Sequence, residues 1–100
     1  MQERAALEAQ WRAIAVQRRE ALARAEALVV QLEARLNALR NDMSPVGLGD
    51  PNRQQTIQAD TVQAQRDLDA ARAAVATARA GVDSLEDDAR RAGALPGWVR

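Results

Sequence analysis

The sequence predicts an all-α fold: an antiparallel coiled-coil hairpin of two helices, each of about 40 residues, that dimerises into a four-helix bundle. Glycine and proline are almost absent from two long stretches and crowd together between positions 45 and 51 and again between 93 and 97. Both stretches consist mainly of Ala, Leu, Arg, Gln and Glu, which favour helix. Within them, apolar residues recur at alternating steps of four and three, the spacing of a coiled-coil core.

The first helix is predicted over residues 2–43. Its core positions, called the α1 seam below, are Leu7, Trp11, Ile14, Arg18, Leu22, Ala25, Val29, Leu32, Leu36, Leu39 and Met43. Two steps of four meet at Arg18, which predicts a stutter that locally relaxes the supercoil. The favoured interpretation of Arg18 is that its methylene stem packs beside Ala78 while its charge extends to solvent. The alternative is that it binds a partner's carboxylate or sets the register.

A bend over residues 44–50 and a second helix over residues 51–92 follow. Asp50 can cap the free amides while Pro51 takes the first helical position, and Gly93 with Pro96 predicts the end. The core positions of this helix, called the α2 seam, are Ile57, Thr61, Ala64, Leu68, Ala71, Val75, Ala78, Val82, Leu85, Ala89 and Ala92. The short bend makes the helices antiparallel neighbours within a single hairpin of residues 1–100. Large residues then often face small ones, as with Leu32 and Ala64.

A second line of small residues predicts the dimer face. We expect Val16, Ala23, Ala27 and Val30 of the first helix to be buried between two copies of the chain, because twofold symmetry is the commonest way to cover such a face. The alternative is an alanine-rich solvent face produced by codon usage.

The bend and the C-terminal tail are candidate protein-binding segments. Met43, Val46, Leu48 and Asp50 could form a docking tip, or the apolar ones could close the end of the bundle as a hydrophobic staple. In the tail of residues 93–100, Leu95 and Trp98 either pack back on the open end of the hairpin, the favoured reading, or bind a partner.

The composition argues against catalysis. The chain has no His, Cys or Lys, which removes the ordinary general base, the thiolate nucleophile and the common metal and phosphate ligands. We therefore expect no catalytic residue, no cofactor and no metal. Asp83, Glu86, Asp87 and Asp88 cannot wrap around a divalent ion from one helix face, so a solvated turn paired with Arg90 and Arg91 is favoured.

Charge and hydropathy narrow the partners further. Fourteen arginines balance fourteen acids, which predicts no nucleic-acid binding, and no apolar run is long enough to span a membrane. Arginine without lysine is typical of a GC-rich bacterial genome. A cytoplasmic location is favoured, and a periplasmic or secreted one stays open where a signal segment has been removed.

These observations predict a non-enzymatic structural or protein-binding module that self-associates. One alternative is a regulator or adaptor that docks its bend on a larger protein machine. Another is a small secreted helical hairpin, since the predicted shape resembles such proteins. Their Trp-x-Gly bend differs from the Pro-Val-Gly-Leu-Gly-Asp-Pro of residues 45–51, and the tryptophans here are at 11 and 98.

Overall fold

The chain folds as an all-α antiparallel coiled-coil hairpin. The computed structural model describes residues 2–42 and 51–100. Helix α1 spans Gln2–Asp42, α2 spans Pro51–Asp83, α3 spans Leu85–Arg91, and a 3₁₀ turn spans Pro96–Val99. The predicted bend, with Met43, Val46, Leu48 and Asp50, lies outside the described residues. The chain divides into two compact units.

The first unit combines α1 up to Ala25 with Ala74–Arg100. Its apolar cluster consists of Trp11, Ala15, Leu85, Ala89, Ala94 and Val99, which are at most 8 % exposed. Leu7, Ile14, Val82 and Trp98 are partly buried against this cluster. Tail residues therefore contribute to the core of this unit alongside residues of all three helices.

The second unit combines α1 from Glu26 with α2 up to Ala73. Leu36, Ala64 and Leu68 form its buried cluster, and Val29, Leu32 and Leu39 pack against it. Large α1 residues thus share a core with Ala64, as the register predicts. The hydroxyl of Thr61, another seam residue, donates to the Ile57 carbonyl at 2.6 Å, which satisfies a polar group next to the core.

Burial follows both predicted seams. Every α1 seam residue from Leu7 to Leu39 and every α2 seam residue from Ile57 to Ala89 is buried or partly buried. Ala92 is exposed because the last helix ends at Arg91. Ala15, which lies outside the predicted seam, is only 2 % exposed. With Ala15 counted in place of Ile14, the two consecutive steps of four meet at Trp11 instead of at Arg18.

The structure divides the second predicted helix in two and ends it near Gly93, as predicted. The helix is interrupted at Ser84, so that residues 51–91 form α2 and α3 rather than one continuous helix. Its C-terminal end is a Schellman motif: the Ala94 amide donates to Ala89 O at 2.8 Å, and the Gly93 amide donates to Arg90 O at 3.1 Å. Gly93 has φ of +81°, the left-handed conformation that glycine adopts without steric cost. This turn directs the tail back toward the core.

We predict that Leu68→Ala lowers the free energy of unfolding by about 2–4 kcal/mol, because it empties a site in a narrow core where Leu68 is 2 % exposed. Leu28→Ala is the matched control, since Leu28 is 46 % exposed and its truncation should cost less than about 0.5 kcal/mol. Urea denaturation followed by circular dichroism measures both. Equal losses for the two variants would contradict the core described here.

Candidate functional site

The most developed polar cluster surrounds Arg18 in the first unit. Arg18 Nη1 donates to the Gly81 carbonyl at 2.9 Å and to Asp88 Oδ2 at 2.9 Å. Ser84 Oγ lies 3.4 Å from Nη1 and 3.0 Å from Asp88 Oδ2. The side chains of Arg18 and Asp88 are each 31 % exposed. This group of residues, called the Arg18 cluster, links α1 to both sides of the Ser84 interruption.

Helix geometry explains why Arg18 reaches these residues. A helical side chain leans toward the N-terminus of its own helix. In an antiparallel neighbour that direction leads to higher residue numbers, so the guanidinium passes Ala78 and meets Gly81 and Asp88. Space is available on the way, since a Cβ atom added to Gly81 would lie 3.9 Å from Arg18 Cδ.

The expectation that the charge of Arg18 extends to solvent is therefore wrong. The guanidinium bonds a carbonyl and a carboxylate of the same chain rather than a partner's carboxylate, and such a link between two helices favours the alternative in which Arg18 sets the register. A charge at a core position is costly unless it is paired and hydrogen-bonded. Here Asp88 supplies the pairing, and Gly81 and Ser84 supply the additional oxygen atoms.

The interruption at Ser84 lies inside the Arg18 cluster. In a continuous α-helix the Gly81 carbonyl accepts the Leu85 amide. Here that carbonyl is 2.9 Å from Arg18 Nη1 and 3.3 Å from Ser84 Oγ. Ser84 keeps helical hydrogen bonds on both sides, to Ala80 O at 3.0 Å and from the Asp88 amide at 2.9 Å. The interruption is thus a local adjustment at the residues that bind Arg18.

Asp88 has an altered pKa for the same reason. Its hydrogen bond from Arg18 holds the carboxyl pKa below the usual 3.8, and the hydrogen bond from Ser84 acts in the same direction, with smaller electrostatic contributions from Arg18 and Arg91. Burial opposes this shift. Asp88 therefore stays ionised under all but strongly acidic conditions, and it serves as a fixed counter-ion rather than as an acid or base.

The C-terminal tail is held beside this cluster. Val99 is 1 % exposed, and its carbonyl accepts a hydrogen bond from Arg19 Nη2. Arg100 Nε lies 3.2 Å from Glu86 Oε1. Trp98 packs partly buried against the core, whereas Leu95 is 47 % exposed. Trp98 thus packs against the hairpin, as the favoured interpretation expects, whereas Leu95 is exposed to solvent.

The acidic turn behaves as a set of ion pairs. As the sequence predicts, Arg90 and Arg91 pair with this turn: Arg90 lies 3.7 Å from Asp87 and Arg91 lies 3.9 Å from Asp88. On α1, exposed ion pairs join Glu8 to Arg12 at 2.9 Å and Glu20 to Arg24 at 3.9 Å. Within residues 2–42 and 51–100, no group of three or more carboxylates is placed to hold a metal ion.

A shallow groove lies on the surface of the second unit. This open groove of about 270 Å³ passes over Leu36 and Leu68. Its polar rim consists of Glu33, Asn37, Arg40, Gln65 and Arg72. These residues flank the seam, where long polar side chains commonly cover the apolar core with their stems. The groove therefore belongs to the solvated edge of the coiled coil.

The four predicted dimer-face residues all lie on the outside of α1. Val16 is 52 % exposed and Ala23 is exposed in the first unit; Ala27 is exposed and Val30 is 67 % exposed in the second. None of the four contributes to either apolar cluster. Their exposure leaves this face open to a partner.

Comparison of the chain with protein-family models, with curated proteins and with solved structures finds no match. Among the helices of the described residues, none is long and apolar enough to cross a membrane.

We predict that protonation of Asp88 in the Arg18 cluster lowers the free energy of unfolding at acidic pH. A folded-state carboxyl pKa below the unfolded value adds stability that is complete above the unfolded pKa and is lost as pH falls through the folded one. For Asp88 that window begins at its usual 3.8 and extends to lower pH. Asp88→Asn should therefore flatten the dependence of unfolding free energy on pH below about 4, as measured by urea titration. Asp67→Asn, at an exposed carboxylate bonded to Gln63, should leave this dependence much closer to that of the unmodified chain.

The tail provides a second prediction on stability. Val99→Ala should lower the free energy of unfolding by about 1–2 kcal/mol, because Val99 is fully buried in the first unit. Leu95→Ala should change it by less than about 0.5 kcal/mol, since that side chain is half exposed. Thermal unfolding monitored at 222 nm compares the two. A larger effect at Leu95 than at Val99 would show that the tail packs differently.

Proposed function

We propose that the protein is a non-enzymatic structural module that self-associates through the outer face of α1. The observation that carries this proposal is the exposure of Val30 and Val16, 67 % and 52 %, in one line with Ala23 and Ala27. Apolar residues at this spacing normally pack against another helix. The hairpin itself offers no further helix to cover them among its described residues.

The limited core of a two-helix hairpin supports the same proposal. Each α-helix has one stripe in its seam, and burial of one seam offsets the conformational entropy of about 100 ordered residues only marginally. A second copy would add a layer and convert the hairpin into a four-helix bundle, an arrangement in which small residues let helices approach closely. Self-association thus supplies both the missing contacts and the role as a scaffold.

The chemistry of the described residues supports a non-catalytic role. The most organised polar group, the Arg18 cluster, is an ion pair between elements of the fold, and its carboxylate is ionised over the ordinary pH range. The groove above Leu36 and Leu68 is open and shallow. Neither feature provides a water-excluded pocket in which a carboxylate could act as acid or base.

We predict that Ala27→Glu shifts the chain from dimer to monomer, weakening association by roughly 10- to 100-fold, because two carboxylates would be buried in a twofold interface. Ala59→Glu is the matched control: Ala59 is an exposed alanine of α2 outside the proposed face. Sedimentation equilibrium distinguishes a dimer from the 10.9 kDa monomer. A stable, helical monomer of the unmodified chain at micromolar concentration would refute the proposal.

A further inference from the structure

The buried residues of α1 define its heptad and therefore its outer face. Leu22, Val29 and Leu36 recur every seven residues, as do Ala25, Leu32 and Leu39, and all six are buried or partly buried. Positions on the opposite side form two columns. They are Ala9, Val16, Ala23 and Val30 in one column and Ala13, Glu20, Ala27 and Ala34 in the other. All eight residues are exposed.

A row of charges runs along one edge of this outer face. At intervals of seven residues it contains Arg12, Arg19, Glu26 and Glu33, all exposed. The row is basic in its first half and acidic in its second. Arg19 uses Nη2 to bond the Val99 carbonyl, and its remaining N–H groups stay available for a carboxylate.

We infer that the second copy packs against α1 in the antiparallel orientation, an inference that rests on the proposed self-association. In an antiparallel helix pair the same edge of each helix meets its counterpart, and the order of residues is reversed. Arg19 then lies beside the partner's Glu26, and Arg12 lies beside the partner's Glu33. The twofold axis repeats both pairs, so that each of these four charges meets its opposite.

The same register matches the apolar columns. Val30 faces the partner's Ala13, and Ala27 faces the partner's Val16, so each valine meets an alanine. Glu20 is the one charged residue in the columns, and it faces the partner's Ala23. Its carboxylate reaches Arg24 of its own helix at 3.9 Å, toward the edge of the face. A small residue opposite leaves room for that conformation.

Other arrangements bring like charges together. In a parallel pair this edge faces the other edge of the partner, which places Arg19 beside the partner's Arg24. Sliding the antiparallel pair by one heptad keeps an attractive pair between Arg19 and the partner's Glu33, but it places Glu26 beside the partner's Glu26 and Arg12 beside the partner's Arg40. Like charges across a helix interface are destabilising. Charge complementarity thus selects one orientation and one register.

Cross-linking of single-cysteine variants tests the orientation, because the chain contains no cysteine of its own. Ala13→Cys and Val30→Cys, prepared with different affinity tags, are mixed and oxidised at low ionic strength. The antiparallel register brings position 13 of one copy to position 30 of the other, within the few ångströms that a disulfide requires. We expect the mixed 13–30 dimer to exceed each like-with-like dimer by roughly tenfold.

The outcomes separate this inference from the proposed function. Like-with-like dimers that dominate the mixture would overturn the antiparallel orientation while leaving self-association intact. Absence of any cross-link, together with a monomer in sedimentation equilibrium, would overturn both.

A charge variant provides an independent readout. Glu26→Arg combined with Glu33→Arg should weaken the dimer by roughly tenfold or more, because each new arginine meets an arginine of the second copy. In the parallel arrangement the same positions face Gln31 and Ala38 of the partner subunit, and affinity should stay within about twofold. Unchanged affinity would therefore contradict the inference.

Discussion

The close approach of the two helices at the seam is the constraint on which the rest of the structure depends. In the second unit it is allowed by two alanines seven residues apart on α2, Ala64 and Ala71, which are 2 % and 4 % exposed. Small residues on α2 leave room for the leucines and valines of α1, so one layer of side chains fills the core. Everything outside that layer meets solvent. This explains why the groove over Leu36 and Leu68 is open to solvent.

In the first unit, the residues packed between the helices include the polar groups of the Arg18 cluster and residues of the C-terminal tail. A long side chain at a seam position is tolerated because its stem extends past Gly81 without a close contact and Asp88 compensates its charge. A charge in this position is costly when it is alone, so the cluster disfavours any register that separates Arg18 from Asp88. Ala94 and Val99 of the tail then complete the apolar cluster of this unit. The ion pair that favours one register and the tail residues that complete the core thus lie within the same unit.

Periodic features were predictable from the sequence, and contacts that depend on the returning chain were not. The seams follow from four–three spacing, and the helix ends from Pro51 and Gly93, because these signals are local. Ala15 gives no such signal: it is one alanine among many, and it is buried in a cluster that includes Ala94 and Val99. The contacts of the Arg18 cluster were not predicted, because the antiparallel register places Ala78 directly opposite Arg18. The lean of helical side chains toward their own N-terminus would have identified Gly81 and Asp88.

The same distinction between repeated and isolated features applies to the exposed apolar residues. Leu28, Val62 and Leu95 are also exposed, and single exposed apolar residues are ordinary on protein surfaces. Val16 and Val30 differ because they share a column with Ala9 and Ala23 and are bordered by one row of charges. Repetition over several helical turns is what another helix can recognise, and the reversal of charge sign within that row makes the face complementary to itself. A surface that matches its own copy needs no second kind of chain, which is why self-association follows more directly from these residues than binding to a different protein.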